Sequence, residues 1–136
     1  MTGERTTRNE IVDFQPDYVV TAYGTNDWNC ITREEFRENA EAFLSSLAKH
    51  YPSVQKVVLS PIWRADCEES AFGAFSQVEE DLFGIAKKYG FLTVSGKAFL
   101  PKRTELFMDG YLHPNDKGFG YYKEAVIQAF QSIKQK

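Results

Sequence analysis

Long apolar runs are missing from this 136-residue chain. No stretch approaches the roughly 18 apolar residues that a membrane-spanning helix needs, so no bilayer span is expected. A basic run is missing too. The 16 Lys and Arg stand against 19 Asp and Glu, a net charge of −3. That mild acidity argues against nucleic acid or an anionic membrane as the main partner. Cysteine is scarce: Cys30 and Cys67 lack metal-ligand spacing and are too few for a disulfide scaffold. They read as reduced thiols, which makes the cytoplasm the expected compartment. The opening MTGERTTRNE is polar and does not read as a signal peptide. Repeats, low-complexity tracts and linker-like stretches are also absent, so residues 1–136 read as a single domain.

Apolar residues make up 43% and charged residues 26% of the chain, a balance that suits an ordinary globular protein. DYVVTAY (17–23), between Pro16 and Gly24, reads as a buried strand. Thr32 and Glu35 form a capping box, and Phe36, Ala40, Phe43, Leu44, Leu47 and Tyr51 recur at helical spacing up to Pro52. KVVLS (56–60) is a second strand, closed by Pro61, and the segment 61–75 reads as loop with a possible helical turn. A further helix runs from about Ser76 to Tyr89, with Glu79 completing a second capping box, an inner face of Val78, Leu82, Ile85 and Ala86, and Gly90 as a left-handed C-cap. FLTVS (91–95) is the third strand. An irregular stretch, 96–114, leads to a last helix opened by Asn115 or Asp116, whose expected buried stripe is Phe119, Tyr122, Val126, Phe130 and Ile133. Strands alternating with helices predict an α/β layered domain with a parallel sheet and right-handed crossovers.

Ligands of such sheets gather at the carboxyl ends of the strands. Three stretches point to that edge. GTNDW (24–28) follows the first strand. Its Gly24 permits a sharp turn, Asn26 can aim an N–H at a developing negative charge, and Asp27 follows; Gly, Asn and Asp also favour turns for their own reasons, and both readings stand. SPIWR (60–64) follows the second strand. Trp28, Trp63 and Arg64 either line a pocket or cover the rim of the core. FMDGYLHPNDKGFG (107–120) follows the third and sets Asp109 four residues before His113. A carboxylate there can hold the Nδ1 proton of the imidazole and leave Nε2 free as a base. His50, at the end of a helix, reads as structural.

PDYVVTAYGTNDW together with DGYLHPNDKGFGYYKEA resembles the SGNH (GDSL-type) hydrolase family over about residues 3–130. The family's Gly-x-Asn-Asp block matches Gly24-Thr25-Asn26-Asp27, and its Asp shortly before His-Pro matches Asp109 and His113-Pro114. The resemblance implies a flavodoxin-like three-layer α/β/α sandwich and lipase- or esterase-type acyl hydrolysis by Ser, His and Asp. It makes His113 the base, Asp109 its orienter and Asn26 an oxyanion donor. It implies a small-molecule ester as substrate, with no metal and no organic cofactor. TGERTT resembles the block that supplies the oxyanion glycine, which would be Gly3.

The family's opening strand and Gly-Asp-Ser have no counterpart in these residues. The resemblance therefore implies a chain that begins just before the second block and holds only the last three strands of the order 2-1-3-4-5. It implies a hydrolase piece whose nucleophile is absent; the alternative is a non-catalytic ligand- or partner-binding domain. Ser60 and Ser95 end strands but lack the Gly-rich turn that exposes a nucleophile. The free side of 17–23 would be an open apolar edge, and self-association through it is expected.

Overall fold

The computed structural model describes residues 15–25, 27–62, 69–70, 72–110 and 112–134. The elements in chain order are β1 (Tyr18–Thr21), α1 (Asp27–Cys30), α2 (Arg33–His50), β2 (Gln55–Leu59), β3 (Glu69–Ser70), β4 (Gly73–Ala74), α3 (Ser76–Lys88), β5 (Leu92–Val94), α4 (Gly96–Phe99), a 3-10 turn (Thr104–Leu106) and α5 (Asp116–Lys134). β1, β2 and β5 form a parallel sheet in that order, with Val20 opposite Val57 and Val58 opposite Thr93. Consecutive parallel strands lie side by side because each is followed by a helix that carries the chain back, the arrangement expected from the alternation in sequence.

Side chains on a strand point alternately to its two faces. Val58 of β2 joins the core formed with Phe36, Leu44, Val78 and Leu82 under α2 and α3. Val57 and Leu59 point the other way and join Val94, Ala125, Ala129 and Ile133 under α5. The fold is thus an α/β/α sandwich, and β2, covered on both faces, is a continuous apolar run for that reason.

Local signals set the ends of several elements. At the start of α2 the Glu35 N–H donates to Thr32 Oγ1 (3.2 Å) and the Thr32 N–H donates to Glu35 Oε2 (2.9 Å), the capping box expected. Gly90, at φ +77°, ends α3: its N–H donates to the Lys87 carbonyl (3.2 Å) and the Phe91 N–H to that of Ala86 (2.9 Å).

Two expectations are corrected. Glu79 does not complete a capping box: α3 starts after Phe75 with no side-chain cap bond, and the Glu79 carboxylate turns inward to Ser60 and Ser95. The buried stripe of α5 keeps only part of the apolar row of the sequence reading: Ile133 is buried, and Tyr122 and Val126 pack against the core at its margin. Phe119 and Phe130 are exposed, and Gly118, Ala125 and Ala129 face inward beside Ile133. Small residues let the helix approach the sheet closely, so the contact face runs through them. Inside stretches read as irregular, the structure adds the antiparallel β3–β4 pair, α1, α4 and the 3-10 turn.

Lys56 is buried at the opposite, amino end of the sheet. Its Nζ donates to the carbonyls of Tyr51 and Val54, each at 2.6 Å, and burial lowers its pKa. The folded state then binds this proton less tightly than the unfolded chain. Lys56 therefore makes a stability contribution that grows as pH rises from the lowered folded value to the ordinary lysine value. Urea unfolding of wild type and Lys56→Met at several alkaline pH values will show the gap between them shifting toward the wild type as pH rises. A gap independent of pH would contradict this.

Candidate functional site

The carboxyl ends of β1 and β2 carry the first two stretches singled out in the sequence. Gly24 sits at φ +124°, where L side chains are strained, and a Cβ there would lie 3.0 Å from Pro61 Cγ and 3.1 Å from Val78 Cγ1. Turn conformation and close approach both require glycine at this point. Asp27 opens α1, and the Trp28 N–H donates to the Gly24 carbonyl at 3.2 Å. Asn26, the expected oxyanion donor, lies outside the described residues, as do Gly3, Trp63 and Arg64.

Trp28 is fully buried. Its indole N–H donates to the Gly73 carbonyl (3.0 Å), its own carbonyl accepts from Ser70 Oγ (2.8 Å), and its ring meets Phe75 edge to face at 5.2 Å. Here the tryptophan anchors the β3–β4 pair to α1 and joins the core under α2 and α3.

The third stretch forms a closed loop. Phe107 and Pro114 make an antiparallel bridge, and the Met108 N–H donates to the His113 carbonyl at 2.7 Å. Gly110 takes φ +81° at the tip. Inside the loop, Asp109 Oδ1 accepts the N–H groups of Leu112 (2.8 Å) and His113 (3.1 Å), while Oδ2 lies 2.6 Å from His113 Nδ1. The four-residue spacing thus brings carboxylate and imidazole together. With Nδ1 as the donor to Oδ2, Nε2 is left as the accepting nitrogen on a side chain that is 65% exposed. Such a pair can hold a proton taken from a neighbouring hydroxyl.

Beside this loop a cleft of about 200 Å³ opens at the strand ends, lined by Ala22, Thr25, Ser60, Pro61, Ile62, Pro114, Phe119 and Tyr122. It joins the segments after β1 and β2 to the start of α5, and burial raises the pKa of its Tyr122. Sequence reading found the edge but not the cleft, because its lining is mainly apolar and is gathered from three separate stretches of the chain.

The same edge holds a polar node that sequence reading also missed. Glu79 Oε2 accepts both the Ser60 and the Ser95 hydroxyl, each at 2.6 Å, and Ser60 Oγ in turn accepts the Gly96 N–H at 2.9 Å. A Cβ on Gly96 would lie 2.2 Å from the Ser60 carbonyl oxygen, so α4 packs directly on the end of β2. The signal available was two serines at the ends of adjacent parallel strands; nothing local said which carboxylate would meet them. Ser60 is buried, and Ser95 caps α4 through the Ala98 N–H. His50, on the far side of the chain from this loop in sequence, places Nδ1 2.8 Å from the Ser46 carbonyl at the end of α2.

Among the described residues no group of three His, Cys, Asp or Glu side chains could hold a metal ion, and no helix is long and apolar enough to cross a membrane.

The profile of the GDSL-like lipase/acylhydrolase family matches residues 2–120. No curated protein matches the sequence. Among solved structures, a protein of Parabacteroides merdae described as a GDSL-like lipase is 20% identical, with a TM-score of 0.73 over 91% of this chain and 65% of its own. A carbohydrate esterase of family 3 from Talaromyces cellulolyticus is 17% identical, with a TM-score of 0.74 over 98% of this chain and 67% of its own. A catalytic mutant of Axe2, an acetylxylan esterase from Geobacillus stearothermophilus, is 14% identical, with a TM-score of 0.71 over 94% of this chain and 65% of its own. At these identities the likeness is one of fold, and the chain spans about two thirds of the length of each.

Proposed function

Because the chain belongs to the GDSL-like lipase/acylhydrolase family, we propose that it carries the acid–base half of a serine ester hydrolysis. In this reading His113 is the general base, Asp109 orients it, and Asn26 with Gly3 donates to the oxyanion. The observation that supports it is the 2.6 Å contact between His113 Nδ1 and Asp109 Oδ2, on a carboxylate whose other oxygen two backbone N–H groups already hold. Nε2 takes the proton of an attacking serine as its Oγ bonds to the ester carbonyl carbon. The imidazolium so formed is stabilised by Asp109 and returns the proton to the leaving alkoxide; water then repeats the cycle on the acyl-enzyme. The substrate is a small-molecule ester. The acetylated carbohydrate named for the Geobacillus esterase supports a short acyl group on a sugar. In this reading residues 1–136 act as one domain, and the cytoplasm is the compartment proposed for them.

These 136 residues contain no Gly-Asp-Ser, so no residue of the chain is assigned as nucleophile. The chain alone will therefore show no turnover of p-nitrophenyl acetate above that of His113→Ala, and a fluorophosphonate probe will label no serine. One labelled serine, lost in His113→Ala, would overturn the assignment.

We further propose self-association through β1. Among the described residues β1 is an outer strand of its sheet, and its Tyr18 and Val20 side chains are exposed. Sedimentation velocity will show a concentration-dependent dimer that Val20→Lys dissociates, since a charge on an open edge opposes pairing. A wild-type monomer at all concentrations would refute it.

A further inference from the structure

We infer that Asn115 is a positioning residue for His113, a role that rests on reading His113 as the base. At 65% exposure the imidazole is not held by packing. Its orientation comes from Asp109, and Asp109 is aimed by the loop that closes between Phe107 and Pro114. What holds the two ends of that loop in register is therefore what holds the ring.

One end is anchored by apolar contact: Leu106 and Phe107 are buried with Leu100, and Ile62 packs against them. The other end is the buried Pro114, and directly after it the polar ties are those of Asn115 in the first turn of α5. All four polar groups of Asn115 are used, and they reach both sides. Towards the 3-10 turn, Nδ2 donates to the Glu105 carbonyl (2.7 Å) and the backbone N–H to that of Leu106 (2.9 Å). Towards the helix, Oδ1 accepts the Gly118 N–H (3.0 Å) and the carbonyl accepts that of Phe119 (2.8 Å). Gly118 fits the same clamp, because a Cβ there would lie 2.2 Å from the Leu106 carbonyl oxygen. Helix and turn are in contact at this point, where Asn115 bonds them; further along, Arg103 at the start of the turn donates to Tyr121 Oη of the helix (3.2 Å).

The amide is the group that the job requires. Ser at this position would still cap the helix through its hydroxyl oxygen, but it is too short to donate to Glu105 as well. Asp would cap the helix but, lacking an N–H, could not donate to the Glu105 carbonyl. Helix capping and loop positioning are thus separable by substitution.

The test is a long-range ¹H–¹⁵N spectrum of the two imidazoles, recorded without substrate in alkaline buffer, with His50 as internal control. Wild type is expected to show His113 as the Nδ1–H tautomer. Asn115→Ser is expected to keep the melting temperature within a few degrees, yet to move the His113 ring nitrogens toward the averaged shifts of Asp109→Ala, with His50 unmoved. Asn115→Ala is expected to show the same ring change together with a lower melting temperature. A wild-type His113 spectrum in folded Asn115→Ser would overturn the inference, whatever the alanine variant does. A wild type that already shows averaged ring nitrogens would overturn the Asp109–His113 pairing itself, and the positioning role with it.

Discussion

Trp28→Ala will destabilise the fold by about 3–5 kcal/mol, the range for removing a buried Trp or Phe side chain. The residue is fully buried, and its loss removes three things together: the edge-to-face contact with Phe75, the indole hydrogen bond to the Gly73 carbonyl, and the volume between α1 and the core under α2. The Gly73 carbonyl would lose its donor, and the cavity term adds to the transfer term. Trp28→Phe should recover more than half of the loss, since it restores most of the apolar volume and leaves one hydrogen bond unmade. Urea unfolding reads both variants. Because α1 begins at Asp27, directly after the Gly24 turn, the alanine variant should also raise amide exchange through residues 24–30. A loss of less than about 1 kcal/mol would place the indole at a rim instead of in the core.

Glu79→Ala will cost about 3 kcal/mol. Each hydrogen bond to a charged group contributes about 1.5–3 kcal/mol, and the two from Ser60 and Ser95 share one oxygen, so they do not add in full. The alanine leaves the buried Ser60 hydroxyl without its acceptor, at the point where β2, β5, α3 and α4 meet. In a double-mutant cycle with Ser60→Ala the two losses should be strongly non-additive, because the second substitution removes the group that the first left unpaired. Additive losses in thermal and urea unfolding would mean that the carboxylate and the hydroxyl do not communicate. Glu79→Gln should be milder, since an amide oxygen still accepts, though without the charge.

Much of the architecture was readable from the sequence. Strand and helix periods differ, and Gly, Pro and the capping residues punctuate them, so β1, α2, β2, α3, β5 and α5 all fall where the pattern placed them. The Asp109–His113 contact was readable too, because both residues lie within one short loop closed by a glycine turn. Less accessible were the short elements. The β3–β4 pair has two residues per strand, too few for a period to show, and it depends on a tryptophan more than 40 positions away in sequence.

The amino-acid sequence by itself determined what depends on neighbours within about four residues: the Thr32–Glu35 capping box, the left-handed Gly90, the turn at Gly24 and the carboxylate beside the imidazole. Only the tertiary structure decided which way a side chain with two local options would turn. Glu79 had a cap within reach, yet two serine hydroxyls from separate strands offered it stronger, partly desolvated partners. The large apolar residues of α5 all suited a core, yet the face that meets the sheet runs through Ala125, Ala129 and Ile133, with Tyr122 and Val126 at its margin, leaving Phe119 and Phe130 outside. Local patterns state what a residue can do. Distance across the folded chain selects among those options, because packing and desolvation act only between groups that the fold has already brought together.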